Sequence, residues 1–566
     1  MNSIIFIVLR KMRVPLILLI LCYAIAVFGL TLMPGVDELG RPWHMSLSQA
    51  FYVISYTATT IGFGEIPYPF STPQRLWMLV SIYLTVIAWI YAIGKIITLI
   101  QEPTLKRAIT EQRFSRQVKH LKEPFFMICG YGETGRNLLE ALDRMDLRAV
   151  VIDIDEARLN DLLISNFHYD IPTLCGDAGL PAVLETAGIY NRYCRGVFAL
   201  ADDDHANLAV AVALRLLNPK LPLLCRAEEE GMAENMAGIG ATSVINPYRS
   251  FGELLGTAIR SIHHYNLGDW LTGVPGQMHQ TIVSPPSGRW IVCGYGRFGK
   301  AVVGSLQQEG IETAIIEADP ALTGCTDCLV GTGSEAGTLI KAGIADAVGI
   351  VAGTNNDHMN LGIAMMARKL SPNIFIVTRK NHHFNGPLFE HVQADLTMQT
   401  SRIISHECLG HLVWPLLTTF LALMKRKPND WVEQIYRESV DLIGLRSPET
   451  WEITINEDQT PAIAEALAQG REVTLDVLLR DPGDTERPLR CVPLLHFRAD
   501  RKRTDIRPDL LLAEGDCLLF CGRDSAQKRQ IQVMRNINAL DFLLTGQVQP
   551  NGLLWRWFTQ RHSNTR

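Results

Sequence analysis

Three short stretches hold the residues best suited to chemistry. In the first, Thr60-Ile61-Gly62-Phe63-Gly64, two glycines stand two apart behind a threonine. Such a loop can turn successive backbone carbonyls to one side if alternate residues take unusual backbone angles, which glycine does at little cost. Thr60 adds a hydroxyl oxygen, and Ile61 and Phe63 are expected to face away and pack behind the loop. A row of oxygens of this kind replaces the water shell of a bare cation. An isolated G-F-G is more often a turn in a soluble protein, so its flanks must decide.

The other two stretches are Gly130-Tyr131-Gly132-Glu133-Thr134-Gly135 and Gly294-Tyr295-Gly296-Arg297-Phe298-Gly299. Each follows a buried-strand run, opens a helix-like segment, and is followed 23 residues after its first glycine by an acid, Asp153 or Glu317. The pattern is that of a dinucleotide-binding unit: the glycines let the backbone approach phosphates at a helix N-terminus, and the acid accepts bonds from ribose hydroxyls. The candidate ligand residues are Gly130, Gly132, Glu133, Thr134, Gly135, Asp153 and Asp177 in the first copy, and Gly294, Gly296, Arg297, Phe298, Gly299 and Glu317 in the second. The acids favour NAD, NADH or an adenine nucleotide over NADP, because a carboxylate repels a 2′-phosphate. Glu133 is unhelpful beside a phosphate and Arg297 is helpful, so the more phosphate-rich ligand is expected in the second copy.

The elements around the first stretch read as membrane. Residues 14–32 and 76–100 are apolar and long enough to span a bilayer. A signal peptide is the weaker reading of the first, since the apolar core is long and a second span follows. Residues 45–58 form a short, mostly apolar helix ending at the Thr pair. Lys and Arg precede the first span and follow the second, which places both termini on the cytoplasmic side of a cell (inner) membrane. The loop with Asp37, Glu38 and Glu65 then faces outside, where acids can concentrate cations. Span, pore helix, filter, span is an order that resembles the pore of potassium channels. The resemblance implies potassium selectivity and a homotetramer around one axis. The sequence departs from the commonest filter at Phe63, where Tyr is usual, and at Glu65, where Asp is usual. No Arg-rich helix precedes the pore segment, so gating by moving charges is not expected. Gly94 is the sole glycine of the second span, a hinge or a packing point.

The two glycine fingerprints belong to a duplication. Leu184-Glu185-Thr186-Ala187-Gly188-Ile189 matches Leu339-Ile340-Lys341-Ala342-Gly343-Ile344, Asp204-His205-Ala206-Asn207-Leu208 matches Asp357-His358-Met359-Asn360-Leu361, and Pro219 and Arg226 match Pro372 and Arg379. Both copies resemble the regulator-of-potassium-conductance (RCK) domain, the Trk-type NAD-binding domain. That resemblance implies a parallel doubly wound sheet, a crossover helix pairing two domains (candidates 250–264 and 401–424), and a C-terminal lobe, which strand-like runs and the stretch 510–520 resemble. It also implies a cytoplasmic gating ring, with nucleotides as first candidate ligands and a divalent cation such as Ca2+ as second; no compact calcium loop is visible.

The expected fold is a two-span helical pore domain, two cytoplasmic α/β Rossmann-like domains and a C-terminal α+β lobe. Its divisions are 1–102, a linker at 103–122, 123–275, a linker at 276–288, 289–430, 431–545 and a loose polar tail at 546–566. A chain of 566 residues accommodates these parts, and a net charge of −5 gives no reason to expect nucleic acid. Twelve scattered cysteines, several in apolar runs, fit buried thiols in a reducing compartment.

Other constellations read as structural. Cys325 and Cys328 lack a second Cys pair. His406 and His411 are five apart and leave a common helix face, which defeats a zincin reading. His263-His264 and His382-His383 read as surface or capping residues, and Asp202-Asp203-Asp204 as a helix cap. The chain is thus read as a potassium-selective channel gated by cytoplasmic nucleotides or dinucleotides, not as an enzyme. The alternative is a potassium-transport component or a less selective cation channel regulated by NAD(H). A membrane-tethered dehydrogenase would need a proton-transfer residue beside the nicotinamide, and none is legible.

Overall fold

The computed structural model describes residues 2–279, 283–499 and 501–546. The chain divides into two compact units, Met1–His120 and Leu121–Arg566.

The first unit is built on two long helices, Asn2–Leu32 and Thr72–Gln101, with apolar stretches of membrane-crossing length at Val8–Leu32 and Thr72–Gln101. Both exceed the expected spans. The second starts early because Ser71 and Gln74 form a reciprocal capping box with a proline in the first turn. The two helices pack closely at Gly29, where a Cβ would lie 2.0 Å from the Trp77 ring, and the Trp77 indole donates to the Ala26 carbonyl at 3.0 Å. The short helix Leu47–Ala58 begins at the Ser46 cap and seats Ala50, Val53 and Ile54 against Ala26, Leu30 and Met78. Helix Pro103–His120 occupies most of the expected linker.

The second unit contains two six-stranded parallel sheets of identical order. In the first, Phe125–Cys129 is central, flanked on one side by Arg148–Asp153 and Thr173–Cys175, and on the other by Cys194–Ala199, Leu223–Arg226 and Ser243–Ile245. In the second, Trp290–Cys293 is central, with Thr313–Glu317 and Leu329–Val330 on one side and Gly349–Ala352, Phe375–Lys380 and Leu396–Gln399 on the other. Strand order therefore reverses beside each glycine fingerprint, the place where open α/β sheets leave a crevice for ligands.

The crossovers interlock the copies. The helix Pro247–Arg260 lies on the second fingerprint helix, Arg297–Gln308, and Thr400–Cys408 lies on the first, Glu133–Arg144. Neither crossover is the single helix expected. The first breaks at Ser261, which caps a new helix, Ile262–Thr272. The second passes through a π-turn, Leu409–Val413, and bends by 112° into Pro415–Met424. Pro415 has no N–H for a continuing helix, so the chain turns there. His264, expected at the surface or as a cap, is instead buried, with Nδ1 on Ser261 Oγ (2.7 Å) and Nε2 on the Met424 carbonyl (3.1 Å).

The C-terminal lobe is an antiparallel sheet of Glu449–Thr454, Cys517–Gly522, Cys491–Arg498 and Arg501–Arg503. The stretch 510–520 lies in this lobe and enters a strand at Cys517, after a turn in which Arg498 and the Ala513 amide hold Asp516. One lobe face joins Leu495 and Leu519 to the core of the first copy, not the second. Residues 280–282 of the expected linker and 547–566 of the expected tail lie outside the described residues.

Candidate pore filter and nucleotide sites

The short helix of the first unit ends at Thr59, and the Tyr56 carbonyl accepts from the Ile61 and Gly62 amides at 2.9 and 3.3 Å. Positive φ then falls on every second residue: Thr60 at 63°, Gly62 at 68° and Gly64 at 90°. The alternation expected at the two glycines thus extends to Thr60, a side-chain-bearing residue in a region that costs roughly 1–2 kcal/mol. Phe63 packs against Tyr52 and Tyr56, with ring centroids 6.3 and 5.4 Å apart. Ile61 stays exposed in the single chain.

Three residues missed in the sequence hold this loop. The Tyr56 hydroxyl donates to the Gly64 carbonyl at 2.5 Å, supplying from the short helix a hydroxyl that Phe63 lacks. Arg75 binds both oxygens of Glu65 (2.9 and 3.0 Å), and the Phe70 amide donates to the same carboxylate at 2.9 Å. Glu65 is therefore a neutralised clamp, not the free cation-attracting acid expected. Asp37 likewise caps its own turn through the Leu39 and Arg41 amides.

The two fingerprints of the second unit are near copies. Gly130 and Gly294 have φ of 101° and 92°. Beyond the next two residues, a Cβ on Gly135 would lie 2.1 Å from the Gly130 carbonyl oxygen, and one on Gly299 would lie 1.9 Å from that of Gly294. Only glycine lets the helix approach its own strand this closely. The acids are matched as well. Asp153 accepts from the Tyr131 amide at 2.5 Å and the Asp155 amide at 2.7 Å, and Glu317 from the Tyr295 amide at 2.5 Å and the Asp319 amide at 3.0 Å. Each buried carboxylate thus ties the fingerprint loop to the end of the neighbouring strand, a task invisible in the sequence. Asp177, exposed at the end of the third strand, caps a turn through the Gly179 amide at 2.8 Å.

Other predicted ligand residues differ in availability. Glu133 opens its helix. Thr134 is buried, and its carbonyl accepts from Ser405 of the second crossover at 3.3 Å. Phe298 is a core residue packed on Phe251 and Tyr248, so its side chain serves packing. Arg297 does not project free from the second fingerprint: it pairs with Glu228 at 3.0 Å and lies 3.9 Å from Glu229, both from the first copy. Asp203 caps the helix Asp204–Leu217 as read from the sequence.

Among the described residues no group of three or more His, Cys, Asp or Glu side chains is arranged to hold a metal ion. His406 is half-buried, and desolvation together with nearby Arg402 depresses its pKa to about 4.

The TrkA-N domain family matches residues 126–247 and 290–400, the two segments that carry the matched sheets and fingerprints. Both segments are TrkA-N domains. Among full-length relatives, the chain is 26% identical over 203 residues to "Potassium channel protein 1" of Methanocaldococcus jannaschii, covering 35% of this chain and 58% of that protein. It is 27% identical over 236 residues to "Probable potassium channel protein 2" of the same organism, covering 41% of this chain and 63% of that one. The chain thus spans less than two thirds of the length of these curated relatives. A solved "GsuK Channel" structure is similar across 94% of this chain and 99% of that one, with 18% identity and a TM-score of 0.48.

Proposed function

We propose that this chain is the subunit of a potassium-selective channel, a homotetramer in a cell membrane, gated by nucleotides bound to its two TrkA-N domains. The observation that carries the reading is the alternation of positive φ at Thr60, Gly62 and Gly64, set between two helices of membrane-crossing length. Such an alternation is what allows the carbonyls before Gly64 to turn to one side, and four such loops around an axis would form oxygen rings for a dehydrated ion. The names of the M. jannaschii relatives agree with this reading. In it, residues 1–102 form the pore, the helix Pro103–His120 links it to the sensor, and the duplicated domains and the lobe form a cytoplasmic ring. A nucleotide gates such a ring only by binding its open and closed forms with different affinity. The matched ribose acids, Asp153 and Glu317, favour an adenine nucleotide or NAD(H) as that ligand.

The test is ion flux from liposomes containing the purified full chain, in potassium and in sodium, with and without NAD, NADH, ADP and ATP. Potassium flux should exceed sodium flux, change with at least one nucleotide, and vanish in Gly62→Ala. Equal potassium and sodium flux would refute selectivity; flux indifferent to every nucleotide would refute gating.

A further inference from the structure

The two nucleotide sites share a frame but differ where a ligand's phosphates would lie. Their register is fixed by a buried asparagine. Asn207 bonds the Ala201 backbone and the Arg226 carbonyl, and Asn360 bonds Thr354 and the Arg379 carbonyl in the same way. Arg226 and Arg379 are therefore equivalent, as are Asp202 and Asn355, Glu228 and Asn381, and Glu133 and Arg297. These four positions carry a formal charge of −2 in the first copy (Glu133, Asp202 and Glu228 against Arg226) and +2 in the second (Arg297 and Arg379, with two asparagines).

In the first copy the arginine is spoken for. Arg226 is buried and its two terminal nitrogens bind Asp202 and Glu228, each at 2.5 Å. The seat over the middle glycine is filled as well: a Cβ on Gly132 would meet Asp202 Oδ2 at 3.2 Å and Arg158 Nη1 at 3.5 Å. In the second copy both carboxylates are replaced by amides. Arg379 donates to the Tyr248 hydroxyl at 3.1 Å and lies over the Tyr248 and Phe298 rings, at 4.9 and 5.6 Å. Its Nε, like that of Arg226, is buried without a hydrogen-bond partner; the difference is that, among the described residues, no carboxylate lies within ion-pair distance of Arg379, whereas Arg226 has two. A Cβ on Gly296 would meet nothing within 4 Å, so the seat there is open. Arg297, beside it, is held by Glu228, and a phosphate would have to compete with that carboxylate for it; for Arg379 it would compete only with the neutral Tyr248 hydroxyl, whose own partner is Glu228.

We propose that the two sites are unequal: the second takes the phosphate-bearing ligand, a nucleoside diphosphate or the pyrophosphate of a dinucleotide, with Arg379 as its specificity-determining cation. The first phosphate seat is filled by the chain's own Asp202–Arg226–Glu228 network. This rests on the reading of the TrkA-N domains as nucleotide sensors and says which copy senses phosphate.

The reciprocal exchange of one exposed residue tests it. Asp202 and Asn355 both lie at the surface, so neither Asp202→Asn nor Asn355→Asp should disturb folding. The full chain in detergent is titrated with ADP and with adenosine by calorimetry, with thermal melting as the folding control. The unaltered chain should bind one ADP per chain tightly. Asn355→Asp should give Arg379 a carboxylate and weaken ADP by at least tenfold with adenosine little changed; Arg379→Gln should do the same, and Arg379→Lys should recover part of the loss. Asp202→Asn should leave Arg226 with Glu228 as its one carboxylate, lower the charge of the first seat from −2 to −1, and raise ADP affinity there. Two equal ADP sites in the unaltered chain, or an ADP-to-adenosine preference unmoved by Asn355→Asp and Arg379→Gln, would overturn the proposal alone. Failure of ADP, ATP, NAD and NADH all to bind the unaltered chain would overturn the nucleotide-sensor reading itself.

Discussion

Removing the carboxylate charge at Glu317 should have two separable effects. The carboxylate is buried and takes two backbone amides, Tyr295 at 2.5 Å and Asp319 at 3.0 Å. Truncation in Glu317→Ala would orphan both, at about 1–3 kcal/mol each, so a loss of roughly 2–6 kcal/mol of stability precedes any effect on a ligand. Glu317→Gln keeps the shape and one acceptor oxygen, which limits the structural cost to about 1–3 kcal/mol. The remaining loss is then the charge-assisted bond to the ribose, about 1.5–3 kcal/mol, or roughly tenfold to a hundredfold in NADH affinity. The charge also sets discrimination. At an effective dielectric of about 20, unit charges about 5 Å apart repel by about 3 kcal/mol, which the glutamine would relieve for a 2′-phosphate. NADH should therefore weaken while NADPH strengthens relative to it. Calorimetry with both ligands, beside thermal melting of the full chain, separates the effects. A lower melting point with an unchanged NADH-to-NADPH affinity ratio would refute the reasoning and leave Glu317 as a loop anchor only.

Other outcomes follow from single contacts. Gly299→Ala, whose Cβ would lie 1.9 Å from a carbonyl oxygen, should force helix from strand and cost about 1–3 kcal/mol or more. Gly296→Ala, with a φ of −69° and open space, should leave the melting point unchanged, and equal melting points for the two variants would refute the close approach. Tyr56→Phe removes the hydroxyl on the Gly64 carbonyl, a bond of about 0.5–1.5 kcal/mol, and should lower the potassium-to-sodium flux ratio about two- to tenfold while conduction persists. An unchanged ratio would make that contact structural only. His406 is held neutral in the fold by burial and by Arg402, with a pKa of about 4 against 6.5 unfolded. The unfolded chain therefore takes up a proton first as pH falls. The stability linked to His406 is full above about pH 6.5 and lost toward pH 4, on the order of 3 kcal/mol in all. Half-buried Glu407, whose pKa is raised by desolvation, acts in the opposite sense. The melting point of the unaltered chain should accordingly fall relative to that of His406→Gln as pH falls from 7 to 5, and a constant difference would count against it.

The parts legible in the sequence were those governed by local rules. Two uninterrupted apolar runs, a Thr-Ile-Gly-Phe-Gly loop and a duplicated glycine fingerprint each state a short-range requirement: bilayer length, permissive φ, close backbone approach. The parallel doubly wound sheet was expected from the resemblance that these fingerprints carry, and the order of the strands within each sheet came only with the fold. What the tertiary structure decided were pairings between residues far apart in the chain. No spacing rule ties Glu65 to Arg75, Tyr56 to the Gly64 carbonyl, or Arg297 of one copy to Glu228 of the other. Nor could the sequence say that Pro415 turns its crossover by 112°, or that His264 is buried beneath it. The two arginines illustrate the divide. Sequence alignment of the repeats makes Arg226 and Arg379 equals, and only the fold, by placing two carboxylates on one and a tyrosine on the other, makes one of them spent and the other available. A charge's role depends on what lies within a few ångströms of it, and that is set by packing across the chain, not along it.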